Sequence, residues 1–121
     1  MPAMEERVQK ELQRIRRLPE NRVCPNCLKE ESLGFKGVCV AFGTFVCSDC
    51  KSAHQSFSHR TKATDMSVWT MDEVKALEEK NGGGNRVARA TWLAKVRDHD
   101  RPAKDSSLDD IKKFVERAYV E

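Results

Sequence analysis

Residues 24–50 read CPNCLKEESLGFKGVCVAFGTFVCSDC, and the two cysteine pairs that bracket this stretch decide the fold. Cys24-Pro25-Asn26-Cys27 and Cys47-Ser48-Asp49-Cys50 are C-x-x-C knuckles separated by 19 residues. Each knuckle can turn two thiolates toward one ion. Two knuckles complete a tetrahedral four-cysteine site with metal–sulfur distances of about 2.3 Å. Soft sulfur ligands and closed geometry favour zinc; iron fits the same four sulfurs, but zinc is the default. Four protein ligands leave no position for a catalytic water, so one structural Zn2+ is expected. Its removal is expected to unfold much of residues 20–60. The competing reading, four ordinary small buried residues, is at odds with a doubled C-x-x-C at this spacing.

Between the knuckles, residues 38–46 (VCVAFGTFV) are short, β-branched and aromatic, which predicts two small strands joined near Ala41–Gly43. Cys39 lies alone in this apolar run, where a free cysteine behaves as a small hydrophobe. Residues 47–57 are expected to form a short helix and 63–68 a further strand. His54 follows Cys50 by four residues and could be read as a fifth ligand or a general base. With the thiolate set complete, a packing or hydrogen-bonding role is expected for it instead. His99 falls in a charged loop and reads as solvated.

Working outward, Met4, Val8, Leu12 and Ile15 recur at helical spacing and predict a helix over about residues 3–18, closed by Leu18-Pro19. Thr70 followed by Glu73 is a capping-box pattern that starts a helix over about 71–80, and Gly82-Gly83-Gly84 stops it. Asn85 is expected to cap a third helix, about 85–97, with Val87, Ala88, Trp92, Leu93 and Val96 as its apolar stripe. Ser107 begins the last, about 107–119, with Leu108, Ile111, Phe114, Val115 and Ala118 on one face. The expected fold is α+β and mostly helical: one domain over 1–121, its four-cysteine finger core at about 20–66 surrounded by helices.

Composition excludes several function classes. The chain has 121 residues, 34% of them charged, and a net charge of +3. Nucleic-acid binders concentrate more positive charge than this. GATA-like fingers share the cysteine spacing but need a basic helix and tail, whereas residues 47–65 here set Lys51, Arg60 and Lys62 against Asp49 and Asp65. A RING would need eight ligands, and one set of four is visible. No apolar run approaches the length of a membrane span, and the start (MPAMEERVQKEL) has no apolar signal-peptide core. Five cysteines, an odd number, point to metal thiolates in a reducing, cytoplasmic compartment rather than a disulfide framework.

Cys24-x-x-Cys27, GTFVCSDC (43–50), KSAH (51–54), SHRTKATDMSVWT (58–70) and GGGNRVARATWLAK (82–95), in this order, resemble the ArfGAP domain over about residues 8–120. LPENR, FSHR and FVERAYV are most similar to its plant-type and nucleoporin-like branch. The resemblance implies a zinc-finger regulator that binds an Arf-family small GTPase in its GTP form and stimulates hydrolysis. It also implies a role in vesicle trafficking, with recruitment to Golgi or vesicle membranes as a peripheral protein. On this resemblance the domain is expected to regulate another enzyme rather than to be one.

In this family an arginine lies five residues after the fourth cysteine and is inserted toward the GTP phosphates. A guanidinium supplied in this way stabilises the charge of the transition state and is worth about 10³–10⁵ in rate. The matching residue here is Gln55, which can orient a water or hydrogen-bond to phosphate but carries no charge. The family mechanism then implies a weak activator or a catalytically inactive Arf-binding scaffold. Arg60, five residues on, is a candidate substitute, although an interface or fold role explains it more simply. Lys62 reads either as a contact for an acidic partner surface or as part of a solvated basic turn. Two lesser departures are a longer gap between knuckles, implying a loop insertion within Leu28–Gly34, and Gly37 where an aromatic is common. Phe35 and Phe42 are the candidates to fill that space.

Overall fold

The computed structural model describes residues 2–65, 67–97, 100–102 and 106–120. His99 and the side chain of Met4 lie outside the described part. Helix α1 spans Pro2–Arg16 and buries Val8, Leu12 and Ile15, the stripe its spacing predicts. A 3₁₀ turn, Pro19–Arg22, follows because Pro19 cannot continue the helix. Strands β1 (Gly37–Cys39) and β2 (Thr44–Val46) pair antiparallel with Val38 opposite Phe45, and Gly43 at φ 67° lies in the turn between them. Helix α2 runs Ser48–Gln55. Strand β3 is Thr61–Ala63, not 63–68; it pairs with β1, giving the order β2-β1-β3. The strand ends at Ala63 because the Trp69 indole turns back to donate to the Ala63 carbonyl at 3.0 Å, closing residues 63–69 into a loop.

The later helices are shorter than the sequence predicts. Helix α3, Met71–Lys75, begins with the expected box: Thr70 Oγ1 accepts from Glu73 N–H, and Glu73 Oε1 accepts from Thr70 N–H. It stops early because the chain doubles back through a 3₁₀ turn, Glu79–Asn81, and brings Gly83 against Ala76 and Leu77. A Cβ at Gly83 would lie 2.0 Å from the Ala76 carbonyl oxygen, so only glycine permits this approach. Helix α4 is Asn85–Thr91. The Leu93 N–H reaches back five residues to the Ala88 carbonyl, and this widened turn ends the helix. Ala88 and Leu93 are buried, whereas Trp92 is 45% exposed. Helix α5, Leu108–Val115, starts at Ser107, which accepts from Asp110 N–H, and continues as a π-helical turn, Glu116–Val120. Ile111, Phe114 and Val115 face the core; Leu108, expected among them, is exposed.

Asn85 is not the helix cap. Gly84 holds that position, and the fully buried Asn85 amide is used across the fold. Its Oδ1 accepts from Phe45 N–H at 2.7 Å, and its Nδ2 donates to the carbonyls of Val23 and Phe45, both at 2.9 Å. Asn85 N–H in turn donates to Asn21 Oδ1 at 2.9 Å, while Asn21 Nδ2 donates to the Ile15 carbonyl. Strand β2 lies at a sheet edge, and these amides satisfy backbone groups that an edge leaves open.

The loop between the first knuckle and β1 packs under Arg16, which is 8% exposed and donates to the carbonyls of Phe35 and Gly34. Gly37 carries no aromatic, and neither Phe35 nor Phe42 substitutes: the Lys51 side chain covers it, 3.0 Å from where a Cβ would stand.

Candidate functional site

The four cysteines of the two knuckles converge. Their sulfurs all lie within 4.8 Å of one another, with Cys27 Sγ 3.7 Å from Cys47 Sγ, and none of the four is more than 6% exposed. A tetrahedral zinc with 2.3 Å bonds requires sulfur–sulfur separations of about 3.8 Å, so the set fits such an ion. The first knuckle is shaped by Cys24 N–H donating to the Lys29 carbonyl and Leu28 N–H to the Cys24 carbonyl, at 2.8 and 2.9 Å. The second is the start of α2, with Cys47 at the cap position and Cys50 in the first turn. Burial holds the Cys24 thiol well above its usual pKa, and its neighbours' sulfurs hold Cys50 up. Sulfur hydrogen bonds from Cys24 pull Cys27 and Cys47 down. A divalent cation is what allows all four to ionise together.

Cys39 is fully buried in β1, outside this group, and burial raises its thiol to about 11. His54 is not part of the sulfur group either. It is fully buried, with Nε2 3.1 Å from Asn26 Nδ2 and Nδ1 3.0 Å from His59 Nδ1, and burial lowers it to about 4. Phe42 and Tyr119 pack on the pair, the Phe42 centroid 4.8 Å from His59 and the Tyr119 centroid 4.8 Å from His54, while Trp92 packs on Phe42 at 4.8 Å.

Gln55 is the last residue of α2 and is exposed, its carbonyl accepting from Ser58 N–H at 2.9 Å. Ser58 takes a left-handed φ of 63°, and the resulting turn brings the His59 N–H back to the His54 carbonyl. Arg60 then joins the hairpin through its carbonyl, which accepts from Val40 N–H. Its guanidinium is 67% exposed and 3.4 Å from Glu73 Oε2. Lys62 is not a free contact for a partner. Its ammonium bonds both Glu73 carboxylate oxygens at 3.0 and 3.1 Å, donates to the Val68 carbonyl, and stands 4.5 Å from the Trp69 ring centroid. The Thr70 cap and then Lys62 keep the Glu73 carboxyl below its usual range. The second knuckle therefore continues directly into an exposed polar surface carrying Gln55 and Arg60.

The family model described as "Putative GTPase activating protein for Arf" matches residues 9–121. The chain belongs to the ArfGap family. It is 40% identical over 119 residues to the "Probable ADP-ribosylation factor GTPase-activating protein AGD14" of Arabidopsis thaliana, covering 97% of this chain and 17% of that protein. An uncharacterized Schizosaccharomyces pombe protein is 30% identical over 88 residues, 70% of this chain and 26% of that one. The ArfGap chain therefore spans a sixth to a quarter of the length of these relatives. Among solved structures, the "ArfGap domain of HIV-1 Rev binding protein" superposes with a TM-score of 0.82 at 28% identity, covering 98% of this chain and 86% of that one. The ArfGap domain of human RIP gives 0.77 at 28%, covering 93% and 81%. A Cryptosporidium parvum chain at 19% identity and a TM-score of 0.66, covering 94% and 90%, shows the same fold.

Sequence reasoning missed Asn26, Asn85 and Tyr119. Nothing in CPNC distinguishes a buried hydrogen-bonding asparagine from a solvated one.

Proposed function

We propose that this ArfGap chain binds an Arf-family GTPase in its GTP form and weakly stimulates hydrolysis, with one structural Zn2+ held by Cys24, Cys27, Cys47 and Cys50. The zinc supplies charge neutralisation to four thiolates and so joins the two knuckles. The observation that carries the reading is the family match over nearly the whole chain, combined with α2 running from the sulfur cluster to an exposed Gln55. Gln55, at the family's finger position, can hydrogen-bond a phosphate oxygen or order the attacking water. It brings no cation, so most of the electrostatic stabilisation is missing. Arg60, the nearby candidate cation, is paired with Glu73. The chain acts as one regulatory unit, recruited peripherally to Golgi or vesicle membranes; no helix among the described residues is long and apolar enough to cross one.

A second reading, an inactive scaffold that binds Arf–GTP without catalysis, is favoured by the same two observations. Single-turnover hydrolysis by GTP-loaded Arf separates them. Wild type is expected to stimulate weakly and Gln55→Arg to raise the rate by about 10³. Wild-type stimulation too small to detect, with binding retained, selects the scaffold. Absence of Arf–GTP binding by the zinc-loaded protein would overturn both readings.

A further inference from the structure

A chain of hydrogen bonds runs beneath the exposed end of α2. Tyr119 OH donates to Asn26 Oδ1 at 2.6 Å, Asn26 Nδ2 meets His54 Nε2, and His54 Nδ1 meets His59 Nδ1. Asn26 and His54 are fully buried and Tyr119 nearly so. Donor chemistry fixes the direction. Because Asn26 accepts the tyrosine proton on its oxygen, its amide nitrogen faces His54, and an amide nitrogen only donates. His54 Nε2 therefore accepts, and its single proton sits on Nδ1. That N–H donates to His59 Nδ1, leaving the His59 proton on Nε2. Protonating His59 would set two N–H groups against each other across 3.0 Å. The chain in this direction requires a neutral His59.

We propose that Asn26 is a positioning residue. By fixing the tautomer of His54 it makes His59 a hydrogen-bond acceptor, and so ties down residues 55–60, which carry Gln55 and Arg60. The value of that tie for the GTPase rests on the Arf reading above; the direction of the chain does not. The backbone of this segment is bonded to α2 by Ser56 N–H to Ser52, Phe57 and His59 N–H to His54 and Ser58 N–H to Gln55, and to the hairpin by Val40 N–H to Arg60. Two side-chain links tie it to α2: Ser56 Oγ donates to the Ala53 carbonyl near its start, and the imidazole pair holds it near its end. His59 faces His54 from α2, the Phe42 ring from the β1–β2 turn and Phe57 from its own loop. Tyr119 of the C-terminal turn reaches it through Asn26 and His54. The neighbouring charge is Arg60, itself paired with Glu73, and no ion pair to either histidine is present among the described residues. Partial burial lowers the His59 pKa, in keeping with the neutral form.

Nitrogen-15 NMR of the zinc-loaded protein reads both tautomers directly. The expected result in wild type is His54 protonated on Nδ1 and His59 on Nε2; a His54 proton on Nε2 overturns the proposal without any variant. Asn26→Asp tests the direction in either protonation state, which carbon-13 NMR of the new carboxyl reads. Ionised, it only accepts, so His54 donates from Nε2, accepts at Nδ1, and leaves His59 free to donate as an imidazolium. Protonated, it donates to Nε2 as Asn26 does and keeps the His54 proton on Nδ1. With the carboxyl ionised, the His59 titration midpoint is expected to rise by about one pH unit. An ionised carboxyl with an unmoved His59 midpoint or the His54 proton still on Nδ1, or a protonated carboxyl with the His54 proton on Nε2, overturns the assignment. In the functional arm, wild-type binding to GTP-loaded Arf is expected to fall as pH drops through the His59 midpoint, and this fall is expected to be absent in Asn26→Asp with an ionised carboxyl. The same fall in both overturns the positioning role. If neither protein binds Arf at any pH while the tautomers are as stated, the Arf reading fails and the hydrogen-bond assignment stands.

Discussion

The two C-x-x-C knuckles share a sequence pattern and solve it with different backbones. In the first, the chain leaves Cys27 through Leu28 at a left-handed φ of 62° and returns to donate from Cys24 N–H to the Lys29 carbonyl. In the second, Lys51 N–H donates to the Cys47 carbonyl at 2.9 Å, as Leu28 N–H does to Cys24, but the chain continues helically as α2. The spacing of two cysteines thus sets where the sulfurs meet and leaves open what each knuckle does next. The helical knuckle carries the site outward to Gln55. The looped one stays inside, where its Asn26 bonds Tyr119 and meets the imidazole of His54.

Removing the metal breaks the comparison most completely. Metal binding is folding free energy in small zinc modules, on the order of 10 kcal/mol. Here the proposed ion would join two segments whose strands have three residues each. Chelation is expected to abolish the cooperative unfolding transition and collapse the near-ultraviolet circular dichroism. Hydrogen exchange should lose protection at the Cys24 amide, whose partner is the Lys29 carbonyl across the loop, before Lys51, whose bond belongs to a continuing helix. A chelated protein that keeps its native spectrum and cooperativity would show that the ion is not structural.

What the sequence reveals follows the same division. Cysteine spacing, the Thr70–Glu73 box and the Ser107 cap are local patterns, and local chemistry decides them. The finger, its hairpin and the existence of the flanking helices were accordingly legible. The sequence assigns Asn85 to a cap because asparagine is a good one; its place beside the β2 edge depends on a contact 40 residues away. Helix α4 ends before the sequence predicts for a related reason: its end is set by how Leu93 reaches the core. At the candidate site the cysteines were readable. The engagement of Lys62 with Glu73, Val68 and Trp69 was not, since it depends on how β3 meets α3.

The link between the knuckles, His54 against Asn26, has a pH signature. Burial first, and then the charge of His59, lowers His54 from 6.5 to about 4. The unfolded chain takes up a proton that the native state refuses. The neutral imidazole's contribution is therefore complete above about pH 6.5 and falls as pH drops toward about 4, by at most about 1.4 kcal/mol per unit. Denaturation midpoints measured across this window at fixed free zinc are expected to decline more steeply for wild type than for His54→Gln. The difference between the two removes the common effect of protons competing for thiolates. Parallel curves would place the acid sensitivity in the sulfur cluster alone.

The smallest effect isolates the backbones themselves. Leu28 and Lys51 both follow the second cysteine of their knuckle, but Leu28 is left-handed while Lys51 is helical. Truncating each to alanine and to glycine removes the same side-chain atoms beyond Cβ, so the glycine–alanine difference reports the backbone. At position 51 glycine is expected to be less stable than alanine by about 0.5–1 kcal/mol, because it loses more conformational freedom in a helix. At position 28 the sign should reverse, since alanine bears a left-handed penalty of about 1–2 kcal/mol that exceeds this entropy term. Equilibrium denaturation of the four zinc-loaded variants measures both differences. The same sign at the two positions would mean that the first knuckle relaxes out of its left-handed turn, and the structural contrast between the knuckles would then be lost in solution.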